Sequence, residues 1–261
     1  MLTAAVLAVV LLVAVTGCKG GGKSAEVPAI EIEPGLSYVD SLVGTGDAVV
    51  SGDFVQAHYT GWLQAADAKQ PVKGSKFDSS LDRGEPITFP VGSGFVIPGW
   101  EKGILGMKVG GKRTLIIAPE LGYGAEGRPP VIPANSTLIF DISLVGLPKV
   151  EVQIQQEGTG AEAAAGDQIA VHYTGSLWVN GAAGEKFDSS LDRGEPFRFT
   201  LGAGMVIPGW DQGLQGLKVG TKARLIIPST LGYGKQGTPG GPIPPDADLM
   251  FDIELMEIAG K

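Results

Sequence analysis

The feature that most constrains this chain is an internal repeat. The ten residues FDSSLDRGEP occur at 77–86 and recur unchanged at 187–196. The five residues VIPGW occupy 96–100 and recur at 206–210, so both pairs are offset by 110 residues (187 − 77 and 206 − 96). Identity of this length at one offset does not arise by chance in a chain of 261 residues. The sequence therefore predicts two copies of one structural unit.

Each copy has the pattern of short strands with one short helix. Strand-like apolar alternation predicts strands in the first copy at 36–40, 54–61, 87–91, 113–118 and 137–145. Trp100, Ile104 and Met107 form the apolar stripe of a helix predicted over 98–107. A polar insertion is expected over 64–76. The second copy repeats this order, with length changes only where loops are expected.

Antiparallel strands with one helix against them predict an α+β fold with two tandem domains. We expect the first domain over 35–148 and the second over 149–261. The 41 glycines and 18 prolines fit frequent tight turns between strands. A net charge of −8 and the absence of a basic stripe argue against a nucleic acid partner. A single cysteine excludes an internal disulfide.

The N-terminus is predicted to target the chain to a membrane. Residues 2–15 are apolar except for one threonine, a length that suits a secretory signal better than a membrane span. Val15-Thr16-Gly17-Cys18 looks like a bacterial lipobox, in which Cys18 would carry the lipid, palmitate included. We therefore predict a signal peptide over 1–17 and a lipid-bearing, flexible tether over 18–34. A plain signal peptide or a short membrane anchor is the alternative.

Several motifs together resemble the FKBP-type peptidyl-prolyl isomerases. They are His58-Tyr59-Thr60-Gly61, FDSSLDRGEP, VIPGW, Leu-Gly-Tyr-Gly and a final Leu-x-Phe-Asp-Ile, in this order in the first copy and closely matched in the second, from Gly35 onward. The resemblance implies a bent antiparallel sheet wrapped around one short helix, with an apolar pocket between them. It also implies catalysis of X-Pro isomerisation without a metal or cofactor.

The resemblance assigns the same roles in both copies. It implies catalytic roles for Tyr59, Asp78 and Tyr123 and for Tyr173, Asp188 and Tyr233, with each aspartate linked to an arginine, Arg83 or Arg193. It implies that substrate is bound in the first copy by Phe77, Phe89, Val96, Ile97, Trp100, Val131, Ile132 and Phe140. In the second copy it implies binding by Phe187, Phe199, Val206, Ile207, Trp210, Ile243 and Phe251.

Elementary chemistry agrees with this assignment. An X-Pro amide resists rotation because resonance keeps it planar, with a barrier of ~18–20 kcal/mol. No covalent bond to another atom has to break, so no nucleophile is needed, and an apolar pocket favours the less polar twisted state. The alternatives are that Trp100 and Phe140 are only core residues and that Asp78 and Arg83 form only a structural ion pair. His58 and His172 alternate with the pocket tyrosines, so we interpret them as structural.

The copies differ in the loop that follows the second tyrosine. Arg128 occupies a position where the family often has histidine, and the second copy's loop is one residue longer, with Pro242 near its first apolar position. We expect both domains to be active with different sequence preferences. We expect proline-containing polypeptides and macrolide immunosuppressants as partners, and a lipid-anchored location in a bacterial envelope facing the periplasm. A holdase or non-catalytic binder of proline segments is the alternative function.

Overall fold

The chain separates into two compact units, Met1–Leu147 and Pro148–Lys261. A computed structural model describes residues 11–13, 27–66 and 71–261. Apart from Leu11–Val13, the predicted signal lies outside the described residues, as does Cys18. Within the described ranges, no helix is long and apolar enough to cross a membrane.

The described residues of the first unit form one antiparallel sheet and two short helices. Its strands are β1 (Leu11–Val13), β2 (Val27–Glu33), β3 (Leu36–Leu42), β4 (Phe54–Gln64), β5 (Lys73–Ser79), β6 (Ile87–Pro90), β7 (Lys112–Ile117) and β8 (Leu138–Gly146). Its helices are α1 (Ser80–Arg83) and α2 (Pro98–Gly103), and a 3-10 turn spans Pro119–Leu121. The strand order is β1-β2-β3-β7-β8-β4-β5, and β6 pairs with β4.

The second unit repeats this topology. Its elements are β9 (Glu151–Gln156), β10 (Gln168–Val179), β11 (Ala182–Ser189), β12 (Phe197–Thr200), α3 (Pro208–Gly213), β13 (Lys222–Ile227) and β14 (Leu249–Ile258), with 3-10 turns at Ser229–Leu231 and Gly234–Gln236. The order β9-β13-β14-β10-β11, with β12 on β10, matches that of the first unit from β3 onward. The α+β class with two tandem domains, predicted from the sequence, is therefore confirmed.

The helix α2 packs closely against the sheet because it carries glycine on the packed face. A Cβ built on Gly99 would lie 2.4 Å from Cγ2 of Ile117, and one on Gly103 would lie 2.6 Å from Cδ1 of Leu115. The glycines that weaken the helix by propensity are therefore required by its packing. The helix is shorter than predicted: it ends at Gly103 and not near residue 107, because Gly106 has φ +71°, outside the helical range.

Two further segments differ from the sequence expectation. Part of the predicted polar insertion is the strand β5, which pairs with β4 and whose Lys73 forms a 2.5 Å ion pair with Asp141. Part of the predicted flexible tether is the strand β2. It pairs with β3 because its Ala29 is buried with Val39 and Ile116 on the outer face of the sheet. The large apolar residues of β2, Ile30 and Ile32, are exposed and the buried residue is the small Ala29, so the sequence did not indicate this burial.

Candidate functional site

A buried tryptophan at the start of α2 forms the floor of the site in the first unit. Ile97 precedes the helix, Pro98 occupies its first position, and the backbone N–H of Trp100 donates to the carbonyl of Ile97 at 2.9 Å. Proline suits this position because its fixed φ matches the helix and its missing N–H would have no partner there. The indole is only 2% exposed. The proline and the hydrogen bond at the start of the helix therefore fix the backbone that holds the ring against the sheet.

Three aromatic rings contact the indole edge-to-face, and a fourth packs against one of these three. The ring centroids of Tyr59, Phe89 and Phe140 lie 5.5, 5.7 and 5.3 Å from that of Trp100. Phe77 meets Phe140 in a T-shaped contact at 5.5 Å. Such edge-to-face contacts add to the stability that burial supplies, and they fix ring orientations. The hollow above the indole is therefore rigid and apolar.

A cavity of about 690 Å³ opens above this floor. It is bounded by residues of the sheet, of α2 and of the loops at both ends: Tyr59, Phe77, Asp78, Ile87, Gly94, Phe95, Val96, Ile97, Trp100, Tyr123, Arg128, Pro129, Val131, Ile132 and Phe140. A volume of this size suits a proline residue with its neighbours or a drug-sized ligand.

Among the described residues that line the cavity, one carboxylate is present, and three donors hold it. Asp78 accepts hydrogen bonds from the Tyr59 hydroxyl, from Arg83 at 2.5 Å and from the backbone N–H of Ser79 at 2.8 Å. Burial alone would raise the pKa of Asp78, but the hydrogen bonds from Tyr59 and Arg83 outweigh it and lower that pKa. Burial and the hydrogen bond to Asp78 raise the pKa of Tyr59. The carboxylate thus stays charged, and the phenol stays neutral.

The serines of the repeated motif connect this network to the strand β4. The Ser80 hydroxyl accepts the backbone N–H of Tyr59 at 2.8 Å and lies 3.1 Å from Nδ1 of His58. The Ser79 hydroxyl donates to the Tyr59 carbonyl at 3.0 Å and caps α1 by accepting the N–H of Leu81. His58 does not line the cavity. These bonds hold Tyr59 and Asp78 side by side.

Two donors at the edge of the cavity have no protein acceptor. Across the described part of the chain, nothing accepts the backbone N–H of Ile97 or the hydroxyl of Tyr123. Both residues line the cavity, and neither is fully buried. A ligand that carries two carbonyl groups, as a peptide backbone does, can satisfy both.

The second unit builds the same site with a smaller cavity, of about 190 Å³. Its lining residues are Tyr173, Phe187, Asp188, Phe197, Met205, Val206, Ile207, Trp210, Tyr233 and Phe251. Asp188 again accepts from the tyrosine hydroxyl, here Tyr173, and from Arg193 at 2.6 Å. Burial raises the pKa of Asp188, but the bonds from Arg193 and Tyr173 lower it overall. Burial and the Asp188 charge raise the pKa of Tyr233.

Two differences from the first unit accompany the smaller volume, a ring and a loop. Phe197 corresponds to Ile87 of the first unit (197 − 87 = 110) and is 40% exposed. Its ring stacks on Phe199 at 5.5 Å and lies 6.1 Å from Trp210. It therefore occupies space that stays open in the first unit. The loop over 238–243 also contributes no lining residue, whereas Val131 and Ile132 line the first cavity.

Three residues that the resemblance placed in the binding sites do not line the cavities. Phe89 and Phe199 are 1% and 4% exposed and pack beneath the indoles, since strand alternation turns them inward. Ile243 is 5% exposed and does not line the second cavity, and its N–H donates to the Thr238 hydroxyl at 3.0 Å. Every other proposed site residue within the described ranges lines a cavity.

Sequence reasoning missed several residues of the site. Phe95 and Met205 are 70% and 64% exposed, and each borders a cavity. Ile87, Phe197 and Arg128 were not assigned to the site either. The signal that was present is position: Phe95 and Met205 directly precede the repeated VIPGW. Among the described residues, no cluster of histidine, cysteine or acidic side chains could hold a metal ion.

A family model described as FKBP-type peptidyl-prolyl cis-trans isomerase matches residues 46–145 and 160–256. The chain is 40% identical over 215 residues to "Peptidyl-prolyl cis-trans isomerase FKBP10" of Homo sapiens, a match that covers 80% of this chain and 35% of that protein. It is 36% identical over 245 residues to FKBP9 of Rattus norvegicus, covering 91% of this chain and 41% of that protein. The chain thus spans about a third to two fifths of the length of these relatives.

A shorter relative matches one domain more strongly. "FK506-binding protein 2B" of Rhizopus delemar is 62% identical over 93 residues, which are 36% of this chain and 43% of that protein. Among solved structures, the three FKBP domains of wheat FKBP73 match at 26% identity with a TM-score of 0.40, covering 87% of this chain and 96% of that one.

Proposed function

Because this chain belongs to the family of FKBP-type peptidyl-prolyl cis-trans isomerases, we propose that both of its pockets accelerate X-Pro isomerisation in folding polypeptides. The observation that carries the proposal is the aromatic cavity above a buried indole, formed twice, with two unsatisfied donors at its edge in the first unit. These are the groups that a peptide backbone around a proline requires.

The proposed mechanism uses binding alone. The proline ring lies on Trp100, and its flanking carbonyls accept the Ile97 N–H and the Tyr123 hydroxyl. The apolar walls favour the twisted amide, which has lost resonance and is less polar than the planar form. Acceleration by a factor of about 10⁶ corresponds to roughly 8 kcal/mol of preferential binding. Asp78 has its oxygens occupied by protein donors, so it orients Tyr59 and adds a fixed negative charge at the wall.

The hydroxyl of Tyr123 offers a sharp test. Because no described residue accepts its hydrogen bond, Tyr123→Phe removes a contact to substrate and little else. We expect kcat/KM for a proline peptide to fall roughly five- to tenfold in the first pocket, the equivalent of one lost hydrogen bond. Tyr233→Phe tests the second pocket, and the double variant tests both. Tyr38→Phe, which removes a hydroxyl outside the cavities, is the matched control.

The alternative is a binder of proline segments whose turnover is incidental. Asp78→Ala and Asp188→Ala in the full chain separate the two functions. Under the enzyme proposal they reduce the rate of a refolding reaction limited by proline isomerisation. Suppression of aggregation by a wild-type chain that accelerates no refolding would support the holdase alternative instead. Each cavity retains the tryptophan, the strand tyrosine and two of the three phenylalanines that the resemblance assigned to it, and this supports the enzyme proposal.

We also propose that the chain acts outside the cytoplasm of a bacterium, anchored by lipid on Cys18 and facing the periplasm. The support is the apolar run over 2–15 followed by Gly17-Cys18. Labelling with palmitate, lost in Cys18→Ser, and release of that variant into the soluble fraction are the expected results. A wild-type chain that incorporates no lipid would contradict this proposal and leave the isomerase proposal intact.

The size of the first cavity also fits a macrolide immunosuppressant. A titration with such a compound measures whether it binds.

A further inference from the structure

A basic side chain stands at the edge of the first cavity. Arg128 lines that cavity, and its residue is exposed. Its backbone is fixed: its N–H donates to the Ile132 carbonyl at 2.7 Å, and its carbonyl accepts the Ile132 N–H at 3.0 Å. Ile132 is itself only 3% exposed. The guanidinium is therefore attached to an anchored part of the loop, next to where substrate would lie.

The charge of this guanidinium is not compensated. No carboxylate of the described residues lies within 4.0 Å of it. Asp78, the acidic residue in the lining, is paired with Arg83 at 2.5 Å. Glu126 is exposed two residues earlier but does not line the cavity. The chain carries a net charge of −8, so a cation at this cavity edge runs against its overall charge.

The second unit lacks this cation. By alignment of the Leu-Gly-Tyr-Gly motifs, Thr238 stands in the place of Arg128. Its hydroxyl is used within the loop, where it accepts the Ile243 N–H at 3.0 Å. The one charged side chain in the described lining of the second cavity is Asp188, which is paired with Arg193. The two cavities thus differ in charge as well as in volume.

We propose that the first pocket selects an acidic residue immediately before the proline, through Arg128, and that the second pocket does not. The inference rests on the proposed function. Tyr123 and Arg128 both line this cavity and belong to one loop. In this proposal the Tyr123 hydroxyl donates to the carbonyl of the residue before proline, which places the side chain of that residue beside Arg128. A guanidinium can bind a carboxylate through two parallel hydrogen bonds.

The expected selectivity is modest because the pair is exposed to solvent. Exposed ion pairs contribute little, so we expect a glutamate-over-lysine preference of roughly three- to fivefold at low salt. Added salt screens exposed charges, so the preference should shrink as ionic strength rises towards 1 M, where the screening length is about 3 Å. A preference independent of salt would point to shape and would overturn the role of Arg128.

The experiment compares kcat/KM of the full chain for peptides Ala-Xaa-Pro-Phe in which Xaa is Glu, Gln or Lys. Arg128→Gln should reduce the Glu:Lys ratio, and Arg128→Glu should invert it. Because the second pocket is the same in all variants, the change in ratio reports on the first. Lys108→Glu is the control for Arg128→Glu, because it changes the charge by the same amount at an exposed residue outside the lining. It should leave the Glu:Lys ratio unaltered.

Two further measurements separate the possible failures. If Ala-Ala-Pro-Glu, with the acid after proline, shows the Arg128-dependent gain instead, the proposed placement is wrong. If no peptide is isomerised, titration of the same peptides as ligands still decides: tighter binding of Glu-Pro that Arg128→Gln abolishes keeps this inference and overturns the enzyme proposal. Equal rates and equal binding for all Xaa overturn this inference while leaving the isomerase intact.

Discussion

Gly61 lies so close to the ring of Phe77 that a Cβ built on it would stand 2.5 Å from Cζ of that ring. The same Cβ would lie 2.9 Å from Cε1 of Phe140. Gly175 of the second unit has the corresponding relationship to Phe187, at 2.6 Å from Cε2. Each glycine therefore provides the space in which two wall rings meet.

The variant Gly61→Ala should disturb the first cavity. The added methyl group must push Phe77 or Phe140 aside, and overpacking of this kind costs about 1–3 kcal/mol. We expect peptide binding by the first pocket to weaken at least tenfold, measured by titration, with a lowered unfolding temperature. The matched control is Gly146→Ala, where a Cβ would meet only Oε1 of Gln56 at 3.9 Å. Equal loss in both variants would contradict the proposed role of Gly61.

Exchanging the residues at positions 87 and 197 should enlarge the second cavity and reduce the first. Phe197→Ile should open the second cavity, and Ile87→Phe should narrow the first, because these residues stand at matching positions and both line their cavities. We expect Ile87→Phe to weaken binding of a bulky macrolide roughly tenfold and Phe197→Ile to strengthen it in the second unit. Calorimetric titration counts the sites and gives each affinity. Affinities unchanged by both exchanges would show that the loops set the volume.

The pH dependence of activity should be flat over the neutral range. The lowered pKa of Asp78 means that its ion pair is fully formed above the ordinary carboxyl value of about 4 and is lost only as pH falls through the lowered value. The raised pKa of Tyr59 keeps its hydroxyl a donor up to about pH 10, and the bond is lost as pH rises through the raised value. We expect constant kcat/KM from about pH 5 to pH 9. A limb near pH 7 would show that another group controls the reaction.

A buried arginine should stabilise only the first unit. Arg113 is 5% exposed, pairs with Asp40 at 2.7 Å and donates to the carbonyl of Gly103 at 2.9 Å. At the matching register position, the second unit has Ala223 beside Ile154. Breaking a buried pair by removing one partner costs about 3–5 kcal/mol. We expect Arg113→Ala to lower the free energy of unfolding of the first unit by about that amount, measured by chemical denaturation.

The second unit supplies the control for that variant. Asp40→Ile combined with Arg113→Ala copies the apolar pair, so it should recover part of the lost stability because no charge is left unpaired. The exposed pair of Arg198 and Glu257, 2.8 Å apart, offers a comparison: Arg198→Ala should cost less than about 1 kcal/mol. A double variant no more stable than Arg113→Ala would show that the bond from Arg113 to the Gly103 carbonyl dominates.

Much of the fold could be predicted because it depends on local sequence patterns that occur in both copies. The repeat separated loops from elements, since only loops change length between copies. The four residues Tyr59, Phe77, Trp100 and Phe140 were predicted because they match the motifs of the isomerase family, and each has a counterpart in the second copy. The strand β2 was missed because its burial depends on Val39 and Ile116, which are distant in sequence. The early end of α2 was missed because glycine is compatible with several backbone conformations, and only the structure shows that Gly106 has φ +71°.

The sequence by itself determined that there are two units and, through its resemblance to a known family, which aromatic residues to expect near each site. The first conclusion depends on identity at one offset, which a repeated sequence displays directly, and the second depends on motifs matched residue by residue. Only the tertiary structure decided which rings face the cavity and which lie beneath the indole, as Phe89 does, and that the cavities differ in size and charge. The physical reason is that a cavity is the space left between elements that are far apart in the chain, so one ring at Phe197 or one guanidinium at Arg128 acquires its effect only when the loops and the sheet come together.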